Sequence, residues 1–157
     1  MSTADIDISV IVPCYQSEGC LRTLVRRVGE ALVPGGERFE LILVNDCSPD
    51  GTWEAIGQVI SDHDFVVGVD LRINVGQDNA IMAGLNQARG AICIIMDDDL
   101  QHDPADIPRL CAAIRSGYDV AYANFDQKFQ TWWKNLGSFA SDRLAVFLLG
   151  KPSEIYM

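Results

Sequence analysis

Apolar positions along this chain switch repeatedly between two spacings. Ile8 to Pro13 (ISVIVP) is a run of mostly β-branched residues with the density of a buried strand. Leu21, Leu24, Val25, Val28 and Leu32 then recur every three or four residues, which predicts a helix over 18–32. Pro34-Gly35-Gly36 stops it. The same exchange repeats downstream. Strands are expected at Phe39–Val44, Phe65–Leu71, Ala91–Met96 and Tyr118–Ala123. Helices are expected at Thr52–Ile60, at Asp78–Ala88, and from Pro104 to about Ser116 with Asp103 as N-cap. A last stripe, Trp132, Leu136, Phe139, Ala140, Leu144, Phe147 and Leu148, predicts a helix from about Thr131 to Leu149.

Strands and helices in alternation predict an α/β domain with a mostly parallel, doubly wound sheet covered by helices on both faces. A length of 157 residues fits one domain. No internal repeat, low-complexity tract or flexible linker interrupts it. The chain stops at KPSEIYM without tail-like composition, so residues 1–157 are expected to be one domain cut short on its C-terminal side.

Charge narrows the partners. Twelve Lys and Arg against 22 Asp and Glu leave a net charge of −10. A broad basic surface for nucleic acid is therefore not expected. An anionic substrate would need a cation or oriented backbone N–H groups to help it bind. Five cysteines, Cys14, Cys20, Cys47, Cys93 and Cys111, form no C-x-x-C pair, which argues against a zinc ribbon and for reduced thiols in a cytoplasmic setting. Cys14, Cys93 and Cys111 lie in apolar runs and read as small core residues. The opening MSTADIDISV lacks the basic start of a signal peptide, and no apolar run is long enough to span a membrane.

In open α/β sheets, ligands bind at the carboxyl ends of strands. Polar or unusual residues fall there four times: Pro13-Cys14-Tyr15, Asn45-Asp46, Arg72 to Gln77, and Asp97-Asp98-Asp99. The acidic triplet closes an oily run, and like charges side by side repel. If the strand continues, Asp97 and Asp99 project to one side and Asp98 to the other. A hard divalent cation, Mg²⁺ or Mn²⁺, would offset the outer pair. A solvated acidic loop ahead of the next helix is the alternative. His102 is a ligand, a base or neither. Gly76 permits close approach of a ligand or simply makes a turn. Trp132-Trp133 could stack on a sugar, touch a membrane or face the core, and Lys128 and Lys134 beside them are of the right type to hold a phosphate.

With these motifs collected, the chain resembles a family 2 glycosyltransferase of the GT-A type. VIVPCYQSE resembles the family's first strand and nucleotide loop, and LILVNDCSPDGT its second strand. RINVGQDNAIMAGLNQARG and IIMDDDLQHDPADIPRL are similar to the subgroup that moves sugars onto polyprenyl phosphates, dolichyl or undecaprenyl. The resemblance runs from Ile8 to about Tyr122. It implies that Pro13, Tyr15, Glu18 and Asp46 line a nucleotide pocket, with Gly76 and Gln77 near it. It implies that Asp97 and Asp99, with Gln101 in a D-x-D-x-Q pattern, hold a metal and the diphosphate. Asp99 stands as the catalytic member, and Asp98 approaches the ribose or sugar. Gln16 stands where the family often has Asn, and Lys128 and Lys134 where the subgroup often has arginines for an acceptor phosphate.

The reaction so implied is inverting transfer of a sugar from a nucleotide diphosphate sugar, with UDP favoured, to a polyprenyl phosphate or a cell-envelope glycan at the cytoplasmic face of a membrane. A truncated module that binds nucleotide-sugar without turnover is the rival reading. A phospho-receiver domain would need a lysine after the fifth strand and paired acids after the first, where this chain has Asn124 and Pro13-Cys14-Tyr15. Dehydrogenase and P-loop readings fail because neither glycine signature is present.

Overall fold

The structure is a computed structural model that describes residues 6–123. The predicted helix near Thr131–Leu149, with Trp132, Trp133, Lys128 and Lys134, lies outside the described residues. Four parallel strands form one sheet: β1 (Ile8–Cys14), β2 (Phe39–Asn45), β3 (Val66–Asp70) and β4 (Ile92–Ile95), in the order β3-β2-β1-β4. Ile8 pairs with Phe39 on one side and with Ile92 on the other, and Leu41 pairs with Val66. The chain therefore starts in the middle of the sheet. It moves outward through β2 and β3, then crosses back to β4, so β1 and β4 flank a reversal of strand order.

Alternation along the strands sorts side chains to two faces. Ile8, Val10, Val12 and Cys14 of β1, with Leu41, Leu43 and Ile94, face one side. The apolar stripe of α1 (Leu21–Leu32) packs there, joined by α2 (Thr52–Asp62) and α4 (Ile107–Arg115). Ile11, Ile42 and Val44 face the other side and meet Ala80 of α3 (Gln77–Leu85). α3 comes close because Gly84 has no side chain: a Cβ there would stand 2.5 Å from Ile11 Cγ2. Helices thus cover both faces, as the periodicity predicts.

Polar groups are also buried at the amino-terminal end of the sheet. The Glu40 carboxyl accepts hydrogen bonds from Ser9 Oγ at 2.7 Å, from Arg89 N at 2.8 Å, and from the Arg89 guanidinium at 2.6 and 2.9 Å. Gly90 crosses directly over this end of β1, donating its N–H to Ser9 Oγ at 2.8 Å. A buried charge is tolerated here because it is paired and fully hydrogen-bonded.

Two expectations need correction. Tyr118–Ala123 is not a strand. Tyr118, Val120 and Tyr122 alternate as a strand would, yet all are exposed, Tyr122 at 88 %. Alternation marks a segment able to pair, whereas a strand also needs a neighbour; among the described residues β4 pairs only with β1. Cys93 is not a core residue. It is exposed on β4, on the α3 side of the sheet, because α3 lies over β1 and β2 and no other described element covers that part of β4.

Candidate active site

The loops that follow the four strands meet at the carboxyl edge of the sheet. They enclose a cavity of about 510 Å³ lined by Pro13, Cys14, Tyr15, Asp46, Asn74, Gly76, Gln77, Asp97, Asp98 and Asp99. Among the described residues three non-glycine residues have positive φ, and each lies in one of these loops: Gln16 (57°) after β1, Cys47 (52°) after β2 and Leu100 (61°) after β4. Left-handed backbone at an ordinary residue costs about 1–2 kcal/mol. Such conformations cluster at functional sites held by their surroundings.

Asp46 ties two loops together. It follows β2 directly and is 4 % exposed. Its Oδ1 accepts the Val75 N–H at 2.7 Å and its Oδ2 the Gly76 N–H at 2.9 Å. Its backbone carbonyl accepts from Asn74 Nδ2 at 3.0 Å. The loop after β3 is thereby fastened to the loop after β2. Gly76, at φ 86° and ψ 160°, adopts a conformation essentially reserved for glycine. This turn delivers Gln77 to the first position of α3, above the cavity.

The acidic triplet is divided by its partners. β4 ends at Ile95, and Met96 makes a further backbone bond to Ile11 at 3.1 Å. Asp97 Oδ1 accepts from Gln77 Nε2 at 2.8 Å, and its Oδ2 is 3.9 Å from His102 Nδ1. Asp98 Oδ2 accepts from Ser17 Oγ. Asp99 is exposed and accepts the Gln101 N–H at 3.0 Å. Beyond the triplet, Asp103 caps the turn at Ala105 and pairs with Arg27 of α1 at 3.0 Å. The segment is therefore anchored at both ends while its carboxylates stay open to the cavity.

The acids also act on the thiols around them. Burial pushes the Cys14 thiol far above its usual range, and the charge of Asp98 adds to the rise. Burial likewise raises Cys20, again with a contribution from Asp98. The Thr52 hydroxyl beside Asp50 holds that carboxyl below its ordinary value.

Among the residues singled out from sequence, the cavity gathers Pro13, Tyr15, Asp46, Gly76, Gln77, Asp97, Asp98 and Asp99. Glu18 is not in its lining; its carboxylate accepts the Gly51 N–H at 3.3 Å. Gln101 is exposed and also outside the lining. Cys14 and Asn74 line the cavity without having been assigned a role, and Ser17, behind the lining, supports Asp98. Their strand-end position was visible in the chain, but their contacts depend on loops brought together from far apart.

No group of three or more His, Cys, Asp and Glu among the described residues is arranged as a metal cage. The donor set fits a different kind of site. Mg²⁺ keeps several waters and is commonly held by one or two carboxylates plus substrate phosphates. Asp97 and Asp99, both at the cavity, supply two hard oxygen donors of that kind.

The family model for glycosyl transferase family 2 matches residues 9–146. The chain belongs to this family. Among curated relatives, the undecaprenyl-phosphate 4-deoxy-4-formamido-L-arabinose transferase of Aeromonas hydrophila is 38 % identical over 140 residues, covering 88 % of this chain and 43 % of that protein. The transferase of the same name from Proteus mirabilis is 36 % identical, covering 83 % and 40 %. The chain thus spans less than half the length of these family members. Among solved structures, S. aureus TarS superposes with a TM-score of 0.61 at 24 % identity, covering 78 % of this chain and 40 % of that one. The mannosyltransferase PcManGT of Pyrobaculum calidifontis, in complex with GDP-Man and Mn2+, gives 0.59 at 25 % identity, covering 72 % and 32 %. The fold of this family member is that of the GT-A glycosyltransferases. No helix among its described residues is long and apolar enough to cross a membrane.

Proposed function

We propose that this chain carries the donor half of an inverting glycosyltransferase, taking a sugar from a nucleotide diphosphate sugar, UDP-linked by preference, to a polyprenyl phosphate of a cell-envelope pathway. One observation carries the reading: four strand-end loops converge on a cavity with carboxylates at its edge, in a family whose similar members are undecaprenyl-phosphate sugar transferases. PcManGT holds GDP-Man and Mn2+ on the same fold, which supports a nucleotide-sugar donor with a divalent metal.

In this mechanism Pro13, Tyr15 and Asp46 receive the nucleoside, with Gly76 and Gln77 closing the loop over it. Asp97 and Asp99 would hold Mg²⁺ or Mn²⁺ together with the diphosphate. The metal's contribution is charge: it offsets the negative charge that grows on the leaving diphosphate. The acceptor phosphate oxygen attacks the anomeric carbon from the face opposite the nucleotide. The C–O bond to the nucleoside diphosphate breaks, and the configuration inverts. A phosphate acceptor is already anionic, so no residue of this chain has to remove a proton from it. Lys128 and Lys134 remain our candidates for that phosphate, and the tryptophans beside them for a membrane surface.

Calorimetric titration of UDP with Mn²⁺, then with EDTA, tests the donor site, with GDP as control. Binding that requires Mn²⁺ and is lost in an Asp97→Ala/Asp99→Ala variant is the expected result. No binding of either nucleotide by the folded protein would overturn the reading. Binding without any sugar transfer or hydrolysis would favour a nucleotide-sugar-binding module that does not turn over.

A further inference from the structure

Resting on the donor-site reading above, we infer that Ser17 is a positioning residue for the metal-binding carboxylates, acting through Asp98. β4 ends at Ile95, so strand alternation does not by itself present the outer two of three adjacent carboxylates to one cation. Something must hold the middle one. Ser17 Oγ donates to Asp98 Oδ2 across 81 residues of sequence. Ser17 is 3 % exposed and Asp98 half-buried, so the donor side of this bond is withdrawn from water. A charge-assisted bond from a buried donor is stronger than a neutral one, and its loss is costly.

Ser17 is itself held from behind. Its backbone N–H donates to Thr52 Oγ1 at 2.9 Å, and that hydroxyl donates to Asp50 Oδ1 at 2.6 Å. Thr52 is fully buried at the start of α2. The chain of bonds Asp50–Thr52–Ser17–Asp98 thus joins the loops after β2, β1 and β4. On the opposite side, Gln77 engages Asp97. The triplet is drawn apart between two partners in different parts of the chain: Asp98 toward Ser17 in the loop after β1, Asp97 toward Gln77 of α3. Asp97 and Asp99 each also use one oxygen, for Gln77 Nε2 and for the Gln101 N–H, so with Asp98 held by Ser17 a cation would take the second oxygen of each outer carboxylate.

The test compares wild type with Ser17→Ala, Ser17→Cys and Ser17→Thr in two titrations. Mn²⁺ is titrated at saturating UDP, and UDP is titrated in EDTA. Partners that orient metal ligands typically affect metal affinity by about 10–100-fold. Ser17→Ala should weaken Mn²⁺ by about tenfold, near the low end of that range, and leave metal-free UDP affinity unchanged. Ser17→Cys, which keeps the volume and weakens the donor, should also lose affinity. It serves if the alanine variant does not fold. Ser17→Thr, which keeps the hydroxyl, should recover wild-type behaviour. In an Asp98→Ala background, Ser17→Ala should have no further effect. Unchanged Mn²⁺ affinity in the Ala and Cys variants would overturn the inference. Equal losses with and without metal would do the same, because they would mark a merely structural role. If wild type itself fails to bind UDP with Mn²⁺, the donor-site reading falls first, which the wild-type control distinguishes.

Discussion

Asp46 accepts the Gly76 N–H at 2.9 Å, so the last polar residue of one strand end holds the glycine that opens the helix over the cavity. The same carboxylate takes the Val75 N–H at 2.7 Å. Hydrogen bonds to a charged group contribute about 1.5–3 kcal/mol. Asp46→Asn keeps one acceptor and turns an NH₂ toward the second N–H. It should destabilise the protein by about 2 kcal/mol on that basis, read as a shift in the urea midpoint. Hydrogen exchange at the Val75 and Gly76 amides should accelerate while exchange in β1 does not.

Gly76 and Gly84 should fail as alanines for different reasons. A Cβ on Gly76 meets nothing within 4 Å, but φ 86° is a conformation L residues avoid. Gly76→Ala should cost about 1–3 kcal/mol through the backbone. It should also weaken nucleotide binding by moving Gln77. Gly84 lies in a helix, where alanine gains up to about 1 kcal/mol in propensity. Its Cβ would stand 2.5 Å from Ile11 Cγ2 and 3.0 Å from Val44 Cγ2, both on stiff β-branched side chains. Overpacking of about 1–3 kcal/mol should outweigh that gain. Thermal melts of both variants with nucleotide titrations separate the two cases.

Glu40 should supply part of the acid sensitivity. Burial alone would raise its carboxyl, but the hydrogen bonds from Arg89 and Ser9 outweigh that and hold it below its ordinary value of 4.5. A depressed folded-state value means stability that is fully present above 4.5 and is lost as pH falls through the lower folded value. Urea midpoints of wild type should therefore fall with pH below about 4.5. Glu40→Gln should be less stable at neutral pH and show a shallower loss on acidification. An unchanged slope would mean that other carboxylates dominate.

The thiols should react in a set order. Cys47 is exposed and should react first with a disulfide reagent under native conditions. Cys93 is exposed too, but burial around its sulfur and the charge of Glu40 raise its thiol, so it should be slower. Cys14 and Cys111 are buried, and burial raises both thiols, so they should stay protected until the protein unfolds. Mass spectrometry after timed labelling reads the order.

Much of this arrangement was legible along the chain, because local rules decide it. Periods of two and of three to four residues located four strands and four helices, and strand ends marked where polar residues would meet. The Asp103-Pro104 signal marks a 3₁₀ turn, Pro104–Asp106, whose Ala105 N–H the Asp103 side chain accepts, and α4 follows it from Ile107 rather than from Pro104. Tyr118–Ala123 shows the limit of such rules: its alternation states a capacity to pair, and pairing depends on another segment. Cys93 shows a second limit, since an apolar run does not reveal which stretch of a strand a helix will cover.

By itself, then, the sequence determined the α/β order of elements, the acidic character of the molecule and the family resemblance that names a donor site. Each of these depends on neighbours in the chain. Tertiary structure decided the rest. It set Glu18 against Gly51 rather than in the cavity lining. It gave Asp46 to Val75 and Gly76, and Asp98 to Ser17. Those partners lie 29 to 81 residues apart in the chain. A hydrogen bond acts over a few ångströms, and only the assembled parallel sheet brings such distant loops within its reach.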